Sequence, residues 1–408
     1  MNIKSFDKIV NDRTNGYNDT TFNNNVARVI KNKRVDSKQT QSDVAKGICS
    51  ISYISKIESG KCPPDNFYVR EIMSKMGITL DEVMMKEFSN ELYDIVEGVY
   101  FDDEHKINLL VELTENSNIL SAKIVQLVGK SYLDDDITNL LAYINVYKTD
   151  LTDYELKVYM YIIARYEAAH LRYSKSVKYL MILNELDLLD PHLEFLITKL
   201  LAECNLYIGN YVESLYYINK ADTLLHNSYE ILNLNKIRLL RVELLLYSDK
   251  TTLACKELEK FAKITSEKLS AKLNWLRGLT CLNKGHFTES VNYFLNSQKY
   301  MFEDSILAVI MALHLRGNVK KIVEYQKILS EGTLNSFYTK MSMYFKIKTE
   351  GNMYELRDYI NKNLLVTFKK VQYKYYMDMV MTDLIRFHRM NSRYKAVDEL
   401  RTKMSDKK

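Results

Sequence analysis

The stretch Gly47-Ile48-Cys49-Ser50-Ile51-Ser52-Tyr53-Ile54-Ser55-Lys56-Ile57-Glu58-Ser59-Gly60 decides how the chain is read. Ser50 is a good helix N-cap, because its hydroxyl can accept a hydrogen bond from a free amide of the first turn. Ile54 and Ile57 are three apart and face a small core, which leaves Ser52, Tyr53, Ser55 and Lys56 on the outer faces. Gly60 can end the helix in the left-handed conformation. The result is a short helix with an apolar back and an uncharged-to-basic front. Such a helix can enter the major groove by its N-terminal half and offer donors to base edges. Upstream, Thr40-Gln41-Ser42-Asp43-Val44-Ala45 reads as a preceding helix, with Thr40 as N-cap and Val44 and Ala45 inward. A tight turn at Gly47 joins the two.

Together these residues resemble the helix-turn-helix of the lambda-repressor-like (XRE) class. The wording from Gly47 to Ser50, with Tyr53 and then Ser55 to Glu58, is similar to the peptide-pheromone-controlled RRNPP family. The resemblance covers residues 22 to 85 by motif and the rest by repeat pattern. The turn is one residue shorter than is usual for XRE proteins, as in that family. Gln39 stands where an apolar residue is usual, and Lys38 where glycine is usual. The resemblance implies a structural ion pair between Arg34 and Glu58. It also places Gln41, at the start of the preceding helix, near the DNA backbone or a base. The candidate DNA-binding residues are therefore Gln41, Ser50, Ser52, Tyr53, Ser55 and Lys56, with Lys46 and Lys61 as phosphate contacts.

Charge supports this placement. From Thr21 to Lys61 there are eight Lys and Arg against Asp36, Asp43 and Glu58, a local excess that equals the +5 of the whole chain. The remaining residues balance, so the surplus lies where phosphate contacts would need it.

Only 12 Gly and 3 Pro among 408 residues, with apolar residues throughout, predict an all-α protein of more than one domain. No apolar run approaches the ~18 residues of a membrane span, and no apolar signal core begins the chain. A cytoplasmic protein without membrane contact is expected. The five cysteines are scattered without metal-ligand spacing and read as buried free thiols. No phosphate-cradling glycine loop is present. Asp134-Asp135-Asp136 precedes an apolar stretch and suits a helix start. No catalytic residue, metal or cofactor is therefore expected, and the protein is not read as an enzyme.

Four segments follow in order. Residues 1–20 are polar and Asn-rich and read as an N-terminal arm expected to fray, with a short helix around Ile3 to Val10 as the alternative. Residues 21–86 form the helix-turn-helix domain, with a first helix over Phe22 to Arg34. Cys62-Pro63-Pro64 ends the motif, and helices follow over Val69 to Met76 and Leu80 to Met85. Residues 87–150 hold linker helices and first helical pairs, and 151–405 a repeat domain.

The repeats show in the turns. Gly209, Asp249, Gly285, Gly317 and Gly351 recur at spacings of 40, 36, 32 and 34, around the 34-residue tetratricopeptide period. Gly278, Gly285, Phe287, Ser290, Phe294 and Ser297 form the clearest unit, and Ala202, Gly209, Tyr211, Ser214, Ile218 and Ala221 repeat its spacing. Small residues let the two helices of a pair approach, and large ones fill the gap. Weaker copies are marked by Ala164, Ser176 and Leu180, by Val242, Ala254 and Leu258, and by Asn391, Ala396 and Leu400. The expected fold is a lambda-repressor-like head followed by a tetratricopeptide-like right-handed α-superhelix.

Such stacks line a concave groove with their first helices. Counting from each turn places Arg165, Lys199, Glu203, Tyr207, Lys236, Glu243, Tyr247, Trp275, Leu279 and Asn283 inward. Charges and rings alternate there, which suits an extended peptide. Asn205 and Asn274 fall one or two positions off this face. They are kept because the resemblance implies that asparagines on these helices grip peptide backbone. Trp275 serves a core reading as well as a ligand reading.

The expectation is a transcription regulator whose operator binding is controlled by a short signalling peptide. That is a quorum-sensing, lysogeny or conjugation type of switch. A homodimer on a two-fold site of double-stranded DNA is expected, because one head of this size reads few base pairs. A second reading has the repeats dock a partner protein. A third, a phosphatase regulator of the Rap type, shares the repeats but lacks this head.

Overall fold

The computed structural model describes residues 3–14, 21–59, 66–77, 89–117, 119–183, 190–225, 230–261, 266–332, 336–368 and 373–405. Their regular secondary structure is all helical, with no strand among the described residues. The chain forms two compact units, Met1–Ile163 with Tyr179–Leu193, and Ala164–Lys178 with Glu194–Lys408.

The first unit begins with α1 (Ile3–Thr14), the helical alternative to the frayed arm expected there. The helix is held because Phe6 and Val10 are buried. The Phe6 ring packs 6.0 Å from Tyr159 and 5.9 Å from Tyr179. Polar composition hid two well-spaced apolar anchors.

The helix-turn-helix comprises α2 (Thr21–Asp36), α3 (Gln41–Ala45), α4 (Ile51–Glu58) and α5 (Asn66–Met76). Its core gathers Ile30, Val44, Ala45, Ile54, Ile72 and Met73, with Ile48 and Cys49 packed against it. The segments expected to end the motif and to form a fifth helix, including Lys61, Cys62 and Leu80 to Met85, lie outside the described residues. Beyond them run α6 (Ser89–Phe101), α7 (Glu104–Thr114), α8 (Leu120–Tyr132), α9 (Thr138–Val146), α10 (Asp153–Ala169) and α11 (Tyr173–Leu183).

The second unit is a tetratricopeptide-like superhelix of helical pairs. They are α12 (Pro191–Tyr207) with α13 (Tyr211–Leu225), α14 (Ile231–Tyr247) with α15 (Thr251–Glu259), and α16 (Glu267–Asn283) with α17 (Phe287–Ser297). Next come α18 (Phe302–Arg316) with α19 (Val319–Gly332), and α20 (Ser336–Glu350) with α21 (Met353–Tyr359). The chain then passes through a π-turn at Ile360–Leu364 into α22 (Leu365–Phe368), and ends with α23 (Lys374–Met390) and α24 (Tyr394–Ser405).

The turns repeat one geometry. Gly209, Asp249, Gly285, Gly317 and Gly351 all have positive φ. The amide after the turn residue reaches back five positions: Asn210 to Asn205 O, Lys250 to Leu245 O, His286 to Cys281 O, and Asn318 to Leu313 O. This closure needs a left-handed residue, which is why glycine marks most of these turns. Asp249 shows that aspartate can substitute. The interior repeats as well. The buried Ser214 hydroxyl donates to Ala202 O at 2.9 Å, and Ser290 donates to Gly278 O at 2.8 Å. At Gly278 an added Cβ would lie 2.5 Å from the Phe294 ring, so only glycine lets α16 and α17 approach.

Candidate functional sites

The head is built around a cap and an ion pair. Ser50 caps α4 by accepting the Tyr53 amide at 3.2 Å. Thr40 and Asp43 form a reciprocal capping box on α3. The other end of α3 is held by Lys75, whose ammonium donates to the carbonyls of Asp43, Val44 and Lys46. A cation there suits the negative end of the helix dipole, and nothing in the motif's wording announced it. Lys38, in the usual glycine place, takes φ 54°.

Arg34 Nε and Nη2 donate to the two oxygens of Glu58 at 2.7 and 2.9 Å. This bidentate bond raises the Arg34 pKa further above its usual value. Gln41 donates its amide to Glu58 at 2.8 Å, so one of its two polar ends is taken. Lys31 is bound to Asp150 at 2.6 Å. Arg34 and Lys31, at least, are thus internally committed among the basic residues of this region, and the charge available to phosphates is smaller than the sequence tally.

Ser50, Ser52, Ser55, Lys56 and Lys46 are exposed and Tyr53 is half-buried, so the front of α4 is open as expected. Apolar positions missed by the sequence reading lie beside them. Ile51 opens α4 at 52% exposure, and Phe67 is 68% exposed on α5. Tyr68 packs edge-on against Tyr53 at 5.2 Å. Such groups can meet thymine methyls or sugar faces.

In the second unit, a cavity of about 240 Å³ opens among the first helices of the pairs. Its wall is aromatic. Tyr173 stacks on Tyr207 at 5.0 Å, Tyr373 meets Tyr207 edge-on at 5.6 Å, and the hydroxyls of Tyr173 and Tyr373 lie 3.3 Å apart. Tyr207 donates to Glu243 at 2.9 Å, and Lys272 bonds the other oxygen of Glu243 at 2.8 Å. The Lys272 ammonium also sits 4.4 Å from the centre of the Trp275 ring. Across the cavity Tyr338 donates to Asp304 at 2.8 Å. Burial pushes the Asp304 carboxyl above its usual range, against the pull of Tyr338 and Lys272. Burial also holds Tyr207, Tyr338 and Tyr373 well above the usual phenol value, so they remain donors.

The structure thus brings Tyr207, Glu243 and Trp275 together at the cavity. Tyr247 is buried and touches Tyr207 and Tyr375 by its edges. Asn283 donates to Tyr375 and Thr251. Lys199 and Glu203 neutralise one another at 2.7 Å. Arg165, Lys236 and Asn274 are half-buried and do not line the cavity. Asn205 is a correction. It is buried, donates to Leu201 O of its own helix, and accepts from Asn210, so it is part of the interior. The thiols also differ from expectation. Cys204 is buried, whereas Cys49, Cys255 and Cys281 are only half-buried.

Sequence counting missed Tyr173, Lys272, Glu303, Asp304, Tyr338 and Tyr373. Lys272 was within reach, one helical turn before Trp275. Asp304 and Tyr338 open the first helices of the two later pairs, whose turns the sequence marks at Gly317 and Gly351. Tyr373 stands outside any repeat.

No family model matches the chain, and no curated protein does. Among solved structures, a Rap protein complexed with Competence and Sporulation Factor superposes with a TM-score of 0.59 at 14% identity, covering 78% of this chain and 98% of that one. The fold is that of this Rap protein. The resemblance to the RRNPP family therefore holds at the level of fold. PlcR of Bacillus thuringiensis, in complex with the peptide PapR7 and DNA, matches at 19% identity over 65% of this chain and 99% of that one, with a TM-score of 0.35. The SHP pheromone receptor Rgg2 of Streptococcus dysgalactiae matches at 15% identity over 65% and 99%, with a TM-score of 0.28. Scores that low add nothing to the assignment of the fold. No described helix is long and apolar enough to cross a membrane.

Proposed function

We propose that the chain is an RRNPP-type transcription regulator. In this reading α4 reads operator DNA as part of a cytoplasmic homodimer, and a short peptide bound in the repeat groove controls that binding. The observation that carries the DNA half is the open polar front of α4, fixed from behind by Arg34, Gln41 and Glu58. The ligand half is supported by the aromatic cavity in the second unit and by a neighbour of the same fold that was solved with a factor bound. Selection of operator sequences by the full-length protein, followed by binding at several salt concentrations with and without short peptides, tests both halves. Absence of any sequence preference removes the first half, and indifference to every peptide removes the second.

One observation favours a partner protein in place of a peptide. Val212, Leu215 and Tyr216 form an exposed apolar stripe on α13. Charged substitutions along that stripe abolish regulation in this second reading and leave it intact in the first.

A further inference from the structure

Tyr207, Tyr247 and Asn283 are equivalent residues. Each is the last residue of a first helix, α12, α14 or α16, two positions before the turn at Gly209, Asp249 or Gly285. Counting from the turns places all three on the groove face. In the structure the chain itself meets each of them, through the first turn of α23.

The contacts follow one another along that turn. Tyr373 sets its ring edge-on to Tyr207 at 5.6 Å, and its hydroxyl lies 3.3 Å from that of Tyr173 at the start of α11. Lys374 pairs at 3.0 Å with Asp249, in the turn between α14 and α15. Tyr375 meets the Tyr247 ring edge-on at 5.8 Å and accepts from the Asn283 amide at 3.1 Å. Three consecutive residues thus reach the ends of three successive first helices, on the surface that such stacks offer to ligands.

The two sides of this turn are held differently. On one side it belongs to an apolar core. Tyr373 packs 4.7 Å from the Phe337 ring of α20, Tyr376 lies 6.0 Å from the same ring, and Val380, Met381 and Leu384 of the same helix are buried. On the groove side it rests on ring edges and on polar contacts open to water. Asn283 is exposed, Tyr375 is half-buried, and the Asp249 side chain is 55% exposed. An ion pair with one partner in water contributes little, and water replaces a neutral hydrogen bond at small net cost. Lys374 also keeps a second carboxylate, Asp378 of its own helix at 2.8 Å, so release from Asp249 does not strand its charge. The groove-side contacts are therefore the ones that yield.

We propose that the first turn of α23 is a strap that closes the groove over Tyr207, Tyr247 and Asn283, and that a peptide reaches these residues only when the strap lets go. The inference rests on the peptide reading above and adds an internal competitor for the same side chains. The affinity for a peptide is then the intrinsic affinity reduced by the fraction of molecules with the strap released.

Two substitutions loosen the strap and leave the first helices untouched. Asp249→Gly removes the partner of Lys374 and puts glycine at a left-handed turn position where the neighbouring repeats carry it. Tyr375→Phe removes the acceptor of Asn283. Trp275, the chain's single tryptophan, lines the cavity whose wall includes Tyr373, so quenching of its fluorescence by acrylamide reports release with no peptide present. In the full-length protein the double variant should give a steeper quenching slope than wild type. It should also bind a fluorescein-labelled pool of randomised short peptides about three- to tenfold more tightly, as the released fraction grows. Unchanged or weaker binding by the folded double variant makes α23 a fixed wall of the site and overturns the strap, while the peptide reading stands. If the pool binds neither wild type nor variant, the peptide reading falls and quenching alone judges the closure: a steeper slope keeps it, and an unchanged slope removes it.

Discussion

Glu58 holds Arg34 with both carboxylate oxygens, at 2.7 and 2.9 Å, and its side chain is 3% exposed. The pair ties the end of α4 to α2, so the orientation of α4's outward face is set by a buried charge pair as well as by apolar packing. Removing one partner strands the other, which typically costs about 3–5 kcal/mol. Arg34→Ala should therefore speed hydrogen exchange of the Ile54 and Ile57 amides and abolish DNA binding. Loss of DNA binding with unchanged exchange would make Arg34 a phosphate contact.

On the open face of α4, Ser52→Ala or Lys56→Ala should weaken specific operator binding by about 1–3 kcal/mol for each base whose recognition is removed. Lys46→Ala should instead weaken all sequences alike and lower the salt slope by about one. Wild-type affinity in the Lys56 variant at matched salt would place the reading face elsewhere.

Lys38 sits at φ 54°, where a side chain crowds its own backbone. Lys38→Gly relieves that strain but frees the unfolded chain. The balance should stabilise the head by a few tenths to about 1 kcal/mol. Destabilisation on chemical denaturation would show that the side chain contributes more than the strain costs.

Gly278→Ala should destabilise the second unit by about 1–3 kcal/mol, because the new Cβ meets the buried Phe294 ring. A smaller companion, Phe294→Leu, should recover part of the loss in the double variant. Simple additivity of the two losses would argue against this contact.

Burial lowers the His314 pKa from 6.5 to about 4, with the nearby Lys348 adding to the effect. The folded state then binds its proton less readily than the unfolded state. Stability from the neutral ring is present above pH ~6.5 and is lost as pH falls from there toward ~4. Thermal unfolding between pH 7 and pH 5 should show this decline, and His314→Gln should flatten it. An unchanged slope in the variant would assign the decline to other groups.

Much of this architecture was legible in the chain. Ser50, Thr40, Ile54 and Ile57 announce the helix-turn-helix because caps and apolar spacing act over a few residues. The turns at Gly209, Gly285, Gly317 and Gly351 announce the pairs because a positive φ demands a particular residue. The cavity was less legible. Its wall takes Tyr173, Tyr207, Lys272, Asp304, Tyr338 and Tyr373 from helices far apart in sequence, and only stacking brings them together. Counting from the turn put Asn205 off the groove face, and the structure buries it in the interior; only the family resemblance argued for it as a ligand contact. α1 was legible only as the alternative to a frayed arm, because its two anchors, Phe6 and Val10, are sparse and the rings that Phe6 meets lie more than a hundred residues away.

The central claim is that peptide binding and operator binding are coupled. Coupling is reciprocal: whatever factor the peptide imposes on DNA affinity, DNA must impose on peptide affinity. The direct measurement is the affinity of a peptide that alters operator binding, titrated by calorimetry into the free protein and into the protein bound to its selected operator. The account predicts different affinities, with the ratio matching the change in operator affinity caused by the same peptide. Equal affinities in the two titrations would contradict it and leave the repeats as a docking platform for a partner protein.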